Sequence, residues 1–255
     1  MTERGRIIDG ARAVARSASF GLYCAGLLAS FELHHRAVAP EARIPLMLAY
    51  RRRAVADWVR LFGLDIRTLG QMPITGSARL IVANHQSALD ILVMVAQFGG
   101  ILLSRHDLAS WPLVGRLAQH SQTIFVDRDD PVSGLRAIRR IRRRLAEGET
   151  VIVFPEGRTH AGEVVQTFYP GLFSALRGLS VEVVPVGLVY RDAKHYVDRS
   201  FVTHLLELAA SPRREVFVAI GDPEPCPPRA KEAAEQLRAR VQAQVDRAVH
   251  ERDSR

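Results

Sequence analysis

Cysteine is scarce in this chain: only Cys24 and Cys226 occur in 255 residues, far apart and outside any metal-ligand spacing. That excludes a disulfide framework and points to a reducing, cytoplasmic setting. No Gly-x-Ser-x-Gly segment is present, which argues against a serine nucleophile on a strained elbow. His-Glu-x-x-His and paired-cysteine motifs are also missing, so no metal and no resident cofactor are expected. Ser17 to Phe31 is uncharged for fifteen residues, short of the ~20 a spanning helix needs. A cleaved signal peptide is not expected either, because Asp9 interrupts the basic region and no small-x-small site precedes Glu32. Internal repeats and low-complexity tracts are lacking as well.

Basic charge, in contrast, is abundant. Lys and Arg number 35 against 27 Asp and Glu, a net +8. Residues 1 to 60 hold ten Arg and five acids, so +5 of that excess lies in the first quarter. Such a balance favours anionic partners: acidic lipid surfaces, phosphorylated substrates or nucleic acid. After the uncharged stretch come apolar Ile44 to Tyr50, Arg51-Arg52-Arg53, and a mixed segment to Phe62 that contains Trp58. Apolar faces, an interfacial aromatic and clustered arginine suit helices lying in the headgroup layer. Residues 1–65 are therefore expected to form a helical segment on the cytoplasmic face of the cell membrane, monotopic or single-span, touching an anionic bilayer surface. A pair of core helices packed on a sheet is the alternative.

From Arg79 onward short apolar runs alternate with helical patterns. Strands are expected at 79–83, 101–104, 122–126, 150–154, 181–188 and 216–220, with a further short one between Gly63 and Ser77. Helices are expected at 87–97, 132–146 and 170–178, with a helix or turn reaching His120. This alternation implies an α/β domain over 66–228, its mostly parallel or mixed sheet flanked by helices. Residues 229–255 read as a charged helix with Leu237, Val241 and Val245 on one side. Val132, Leu135, Ile138, Ile141 and Leu145 recur at helical spacing and are expected to face the core. Six Arg lie between Arg136 and Arg144, but without the aromatics of a nucleic-acid site.

Two motifs follow expected strands directly. Asn84-His85-Gln86-Ser87-Ala88-Leu89-Asp90 offers a base and a carboxylate; Phe154-Pro155-Glu156-Gly157-Arg158-Thr159 offers a turn with an acid, a glycine and an arginine. Ligands of an open α/β sheet bind beyond the carboxyl ends of its strands, so both motifs should face one crevice. A neutral imidazole can accept a hydroxyl proton near neutral pH, and a carboxylate on its other nitrogen fixes the tautomer. Ser87 to Asp90 also has the form of a capping box, which gives Asp90 a purely structural alternative.

This pairing resembles the glycerolipid acyltransferase family, marked by a His-four-residues-Asp block and a Phe-Pro-Glu-Gly block. Thr123 to Arg128 and Val184 to Leu188 match two further blocks, and the likeness covers about residues 79 to 190. The resemblance implies catalytic His85 and Asp90, and substrate contacts from Arg128, Glu156, Gly157, Arg158 and Arg105. It implies a fatty acyl chain passing directly from acyl-CoA or acyl-carrier protein to the hydroxyl of 1-acylglycerol-3-phosphate, giving phosphatidic acid. There are departures. The family usually reads Glu-Gly-Thr-Arg where this chain has Glu-Gly-Arg-Thr, and Thr167 to Gly171 lacks the lysine often found there. Lyso-ornithine lipid is therefore an alternative acceptor. A non-enzymatic lipid- or nucleic-acid-binding module is the rival of another class, but it would need no base–carboxylate pair.

Overall fold

The computed structural model describes residues 3–71, 78–192, 201–211 and 213–255. Two helices open the chain, α1 (Glu3–Ala37) and α2 (Arg43–Leu61), followed by β1 (Leu64–Leu69). Then come β2 (Arg79–Ala83), α3 (Leu89–Phe98), β3 (Ile101–Arg105), α4 (Val114–His120), β4 (Ile124–Val126), α5 (Pro131–Ala146) and β5 (Thr150–Val153). A 3-10 helix at Pro170–Leu176 precedes β6 (Glu182–Tyr190), α6 (Phe201–Ala210), β7 (Arg214–Ile220), β8 (Glu224–Pro225) and α7 (Ala230–Asp253).

The strands join in the order β1-β7-β6-β2-β5-β3-β4, with β8 pairing to β6. Strands β2 to β6 run parallel, whereas β7 lies antiparallel to β6 and carries β1 parallel to itself. The expectation of a mostly parallel or mixed sheet is met. Strand β2 is buried at every residue, as in a parallel strand covered on both faces. Alternate residues feed two cores. Leu80, Val82, Val151 and Val183 meet Ile141 and Leu145 of α5, the 3-10 helix and α7 on one face. Ile81, Ala83, Ile152 and Val184 meet α3, Leu208 of α6, and Ala13 and Phe62 from the N-terminal helices on the other.

Local chemistry sets the boundaries. Asp130 caps α5 by accepting from the Val132 amide at 2.9 Å, with Pro131 in its first turn. Gly99 ends α3 in the left-handed conformation, and Arg51 of α2 donates to the Gly99 and Gly100 carbonyls beyond it. Gly187 lets α7 cross β6 closely: a Cβ there would lie 2.3 Å from the Gln244 main chain.

Four expectations need correction. The helix at 170–178 is a 3-10 helix. Val132 and Leu135 are 58% and 56% exposed, because Ala137, Ile141 and Leu145 carry the inward face of α5 instead. Trp58 does not project toward a headgroup layer; its ring packs on Phe20 of α1, 5.4 Å between centroids. Helix α1 is far longer than the uncharged stretch, and Ile8–Ala37 is long and apolar enough to cross a membrane. It is nevertheless docked along much of its length. Arg12 and Arg16 donate to carbonyls at the end of α6, Phe20 meets Phe62, and Phe31 meets Tyr50 and His120. Its outer face exposes Val14, Leu22 and Leu33. The short strand expected between Gly63 and Ser77 is β1, and residues 72–77 of that segment lie outside the described residues.

Candidate active site

Parallel β2, β5, β3 and β4 end along one edge of the sheet, and each hands the chain there to a segment that holds an expected site residue. At the end of β2 the Asn84 side chain continues the ladder. It accepts from the Leu188 amide at 2.7 Å and donates to the Leu188 carbonyl at 3.0 Å. This fixes the main chain one residue before His85.

His85 Nδ1 lies 2.8 Å from Asp90 Oδ2. That oxygen also accepts from the Gln86 and Ser87 amides at 2.6 and 2.9 Å, while Oδ1 accepts from the Tyr190 hydroxyl at 2.6 Å. Asp90 is wholly buried, and four donors occupy its carboxylate. Its capping and orienting roles are one arrangement: the same oxygen that closes the loop onto α3 holds the imidazole. Ser87 Oγ completes the loop by accepting from the Leu89 amide at 3.2 Å. The helix therefore starts two residues after Ser87, and His85 sits in the loop before it. With Nδ1–H committed to Asp90, Nε2 is left as the proton acceptor. Phe154 stacks on the imidazole at 4.2 Å between centroids with 16° between planes, fixing the ring about its other axis.

Glu156, expected among the substrate contacts, faces inward. One carboxylate oxygen accepts from the His85 amide at 2.6 Å and the other from the Gln166 amide at 2.8 Å. Burial pushes its carboxyl up to about 7, against the opposing pull of these hydrogen bonds. Glu156 thus ties the loop after β5 to the loop after β2, and the His160 amide reinforces the tie by donating to the His85 carbonyl at 2.9 Å. Gly157 adopts φ +78° with open space where a Cβ would stand, so the turn needs its conformation and not a close approach.

The arginines form a second group. Arg128 follows β4, Arg105 ends β3, and Arg158 lies in the turn after β5. Arg128 is exposed in surface area, yet surrounding protein first, then the charges of Arg105 and Arg158, lower its pKa. The three positive charges are therefore close enough to feel one another. Among the described residues Arg128 makes no direct ion pair with Asp127, Asp129 or Asp130, although the charges of Asp107 and Asp129 partly offset those of the arginines, while Arg105 is held by Asp107 through contacts of 3.0 and 2.8 Å. His106, beside it, is exposed and 3.6 Å from Asp127.

Several participants were not anticipated. Tyr190 is buried at the end of β6, and burial followed by the Asp90 charge raises its phenol well above the ordinary value. Its signal was available, since a buried tyrosine needs a partner and β6 adjoins β2. Fully buried His204 of α6 has Nε2 3.2 Å from Ser87 Oγ. His160, whose pKa is lowered by burial and then by Arg158 and His85, lies near the imidazole with no motif to announce it.

The Acyltransferase family model matches residues 65–189. The chain is 31% identical over 227 residues to a lyso-ornithine lipid O-acyltransferase of Pseudomonas aeruginosa, covering 84% of this chain and 85% of that one. It is 32% identical over 151 residues to a 1-acyl-sn-glycerol-3-phosphate acyltransferase of Neisseria meningitidis, covering 56% of this chain and 57% of that one. The crystal structure of the 1-acyl-sn-glycerophosphate acyltransferase PlsC from Thermotoga maritima superposes with a TM-score of 0.69. It covers 99% of this chain and 97% of its own, at 23% identity, so this likeness is one of fold.

Proposed function

The chain belongs to the acyltransferase family, and on that footing we propose that it moves a fatty acyl chain from a thioester donor to the free hydroxyl of 1-acylglycerol-3-phosphate. His85 Nε2 takes the hydroxyl proton as the oxygen attacks the thioester carbon. The new C–O bond forms, the C–S bond breaks, and the departing thiolate recovers the proton from the imidazolium. Asp90 holds the tautomer through 2.8 Å to Nδ1 and steadies the transient positive charge. The catalytic group needs no acyl-enzyme, and no metal is required for this step.

The observation that carries the acceptor is the placement of Arg128 after β4, Arg105 at the end of β3 and Arg158 in the turn after β5, at the same sheet edge as His85. Guanidiniums at one edge with a base suit a doubly charged phosphate, which accepts bidentate contacts. Lyso-ornithine lipid is the second reading. It is supported by the Pseudomonas relative, which matches most of both chains, and by Asp107, which already engages Arg105. A lipid acceptor and the exposed Val14, Leu22 and Leu33 of α1 further support seating at a cytoplasmic membrane face. Docking of α1 along the domain favours monotopic attachment over a free span.

Purified full-length protein in mixed micelles should be given a labelled acyl thioester and a panel of acceptors. We expect phosphatidic acid from 1-acylglycerol-3-phosphate at the highest kcat/KM. Preference for lyso-ornithine lipid would replace the acceptor and leave the chemistry standing; transfer to no lysolipid would end the reading.

A further inference from the structure

We propose that the outer face of α5 is the docking surface for a small acidic carrier protein that presents the acyl thioester. The inference rests on the acyl-transfer reading above and gives one of its two expected donors a place to bind.

Helix α5 carries six arginines and no acidic residue. Like charges at helical spacing repel one another, and the helix dipole favours only Arg143 and Arg144, in the last turn. Four of the six are used within the chain: Arg136 pairs with Asp130, Arg143 with Glu147, Arg144 with Glu147 and Glu149, and Arg142 donates to the Ala175 and Arg177 carbonyls. Arg139 and Arg140 are exposed and join no ion pair among the described residues. Arg140, Arg143 and Arg144 also line a surface cleft of 470 Å³ with Gln119, Gln122 and Thr123. At the other end of the helix stand Val132 and Leu135, more than half exposed. A strip that is apolar at one end and cationic along its length matches a partner with acidic residues and a few apolar ones.

Its place in the fold argues for a soluble partner over a bilayer. Helix α5 packs on the core formed with α7 and the 3-10 helix. The N-terminal helices, with their exposed apolar side chains, cover the opposite face of the sheet. A membrane touching the outer side of α1 would leave the α5 arginines facing water. The direction of α5 matters too. It begins just after Arg128, at the strand ends where His85 lies, and runs back toward the start of β5. A protein bound along it would hold a flexible prosthetic arm close to the catalytic imidazole.

The test uses full-length protein in micelles, with one acyl chain supplied either on carrier protein or on CoA. The variants are R139E/R140E and its milder counterpart R139Q/R140Q. Exposed charge pairs each shift an equilibrium a few fold, so double reversal should raise the KM for acyl-carrier protein roughly tenfold. R139Q/R140Q should raise it less. The KM for acyl-CoA and the thermal midpoint should stay unchanged, and added salt should narrow the gap between wild type and variants. An unchanged carrier KM overturns the proposal. So does an equal rise for both donors, loss of anionic-vesicle binding with carrier KM intact, or a wild type that uses only acyl-CoA. A wild type that transfers from neither donor to any lysolipid fails the acyl-transfer reading itself, and the proposal with it.

Discussion

Replacing Glu156 with Gln should change how stability depends on pH. In the folded protein the carboxyl releases its proton at about 7, compared with an ordinary 4.5. Between those values the unfolded chain binds fewer protons than the folded one, so stability falls as pH rises from about 4.5 to about 7. At ~1.4 kcal/mol per pKa unit, that interval amounts to at most about 3 kcal/mol. For a chain of this size it corresponds to roughly 6–12 °C in Tm. Glu156→Gln has no proton to lose and should flatten this part of the curve. It should also weaken the site, because a carboxylate serves the His85 and Gln166 amides together. An amide offers one oxygen to one of them and turns an NH2 toward the other. We therefore expect a kcat loss of about tenfold or more, for one unsatisfied buried donor at ~1–3 kcal/mol. Thermal denaturation of both proteins from pH 4.5 to 8, with initial rates at pH 8, tests this. Equal pH slopes for wild type and variant would refute the assignment of that proton to Glu156.

Other substitutions probe the rest of the site. His85→Ala should keep the circular dichroism spectrum and lose at least about a hundredfold in kcat, as expected for removal of a general base; a tenth of wild-type turnover would be too much. Arg128→Gln should lower kcat/KM for 1-acylglycerol-3-phosphate about 10- to 150-fold with the donor KM little changed, given ~1.5–3 kcal/mol for one charged hydrogen bond. A harmless Arg158→Gln beside it would show that the shifted arginine of the Glu-Gly-Arg-Thr turn does not meet the phosphate. Tyr190→Phe should destabilise the fold by about 1.5–3 kcal/mol through the lost bond to buried Asp90, measured by urea titration, while acceptor KM holds. Leu22→Glu, on the exposed side of α1, should reduce sedimentation with vesicles without lowering Tm.

The central part of the fold was legible because its strands are uninterrupted apolar runs with chemistry at their ends. Strand β2 stops where Asn84 begins, and β5 stops just before Phe154 and Pro155. His85 and Asp90 could be paired from their motif, and a loop position for His85 was readable from the capping pattern. What escaped depends on which segments meet. Tyr190 lies a hundred residues from the carboxylate it serves, and the inward aim of Glu156 follows from loops that only folding brings together. Pattern alone also misplaced Val132 and Leu135. Ala137 shares the inner face of α5 with Ile141 and Leu145, so helical spacing by itself did not say which apolar residues were inside.

Helix α7 covers β6 at Gly187 and buries Leu237, Val241 and Val245 against the same core as α5. Those residues follow every strand in the chain, so one side of the sheet lacks its cover until α7 is made. The N-terminal helices, with their apolar outer side chains, precede the whole sheet and would be free to meet a membrane before that cover exists. Domains acquire their cores as units, so the central strand would gain its last layer only when α7 docks, with the N-terminal helices already seated.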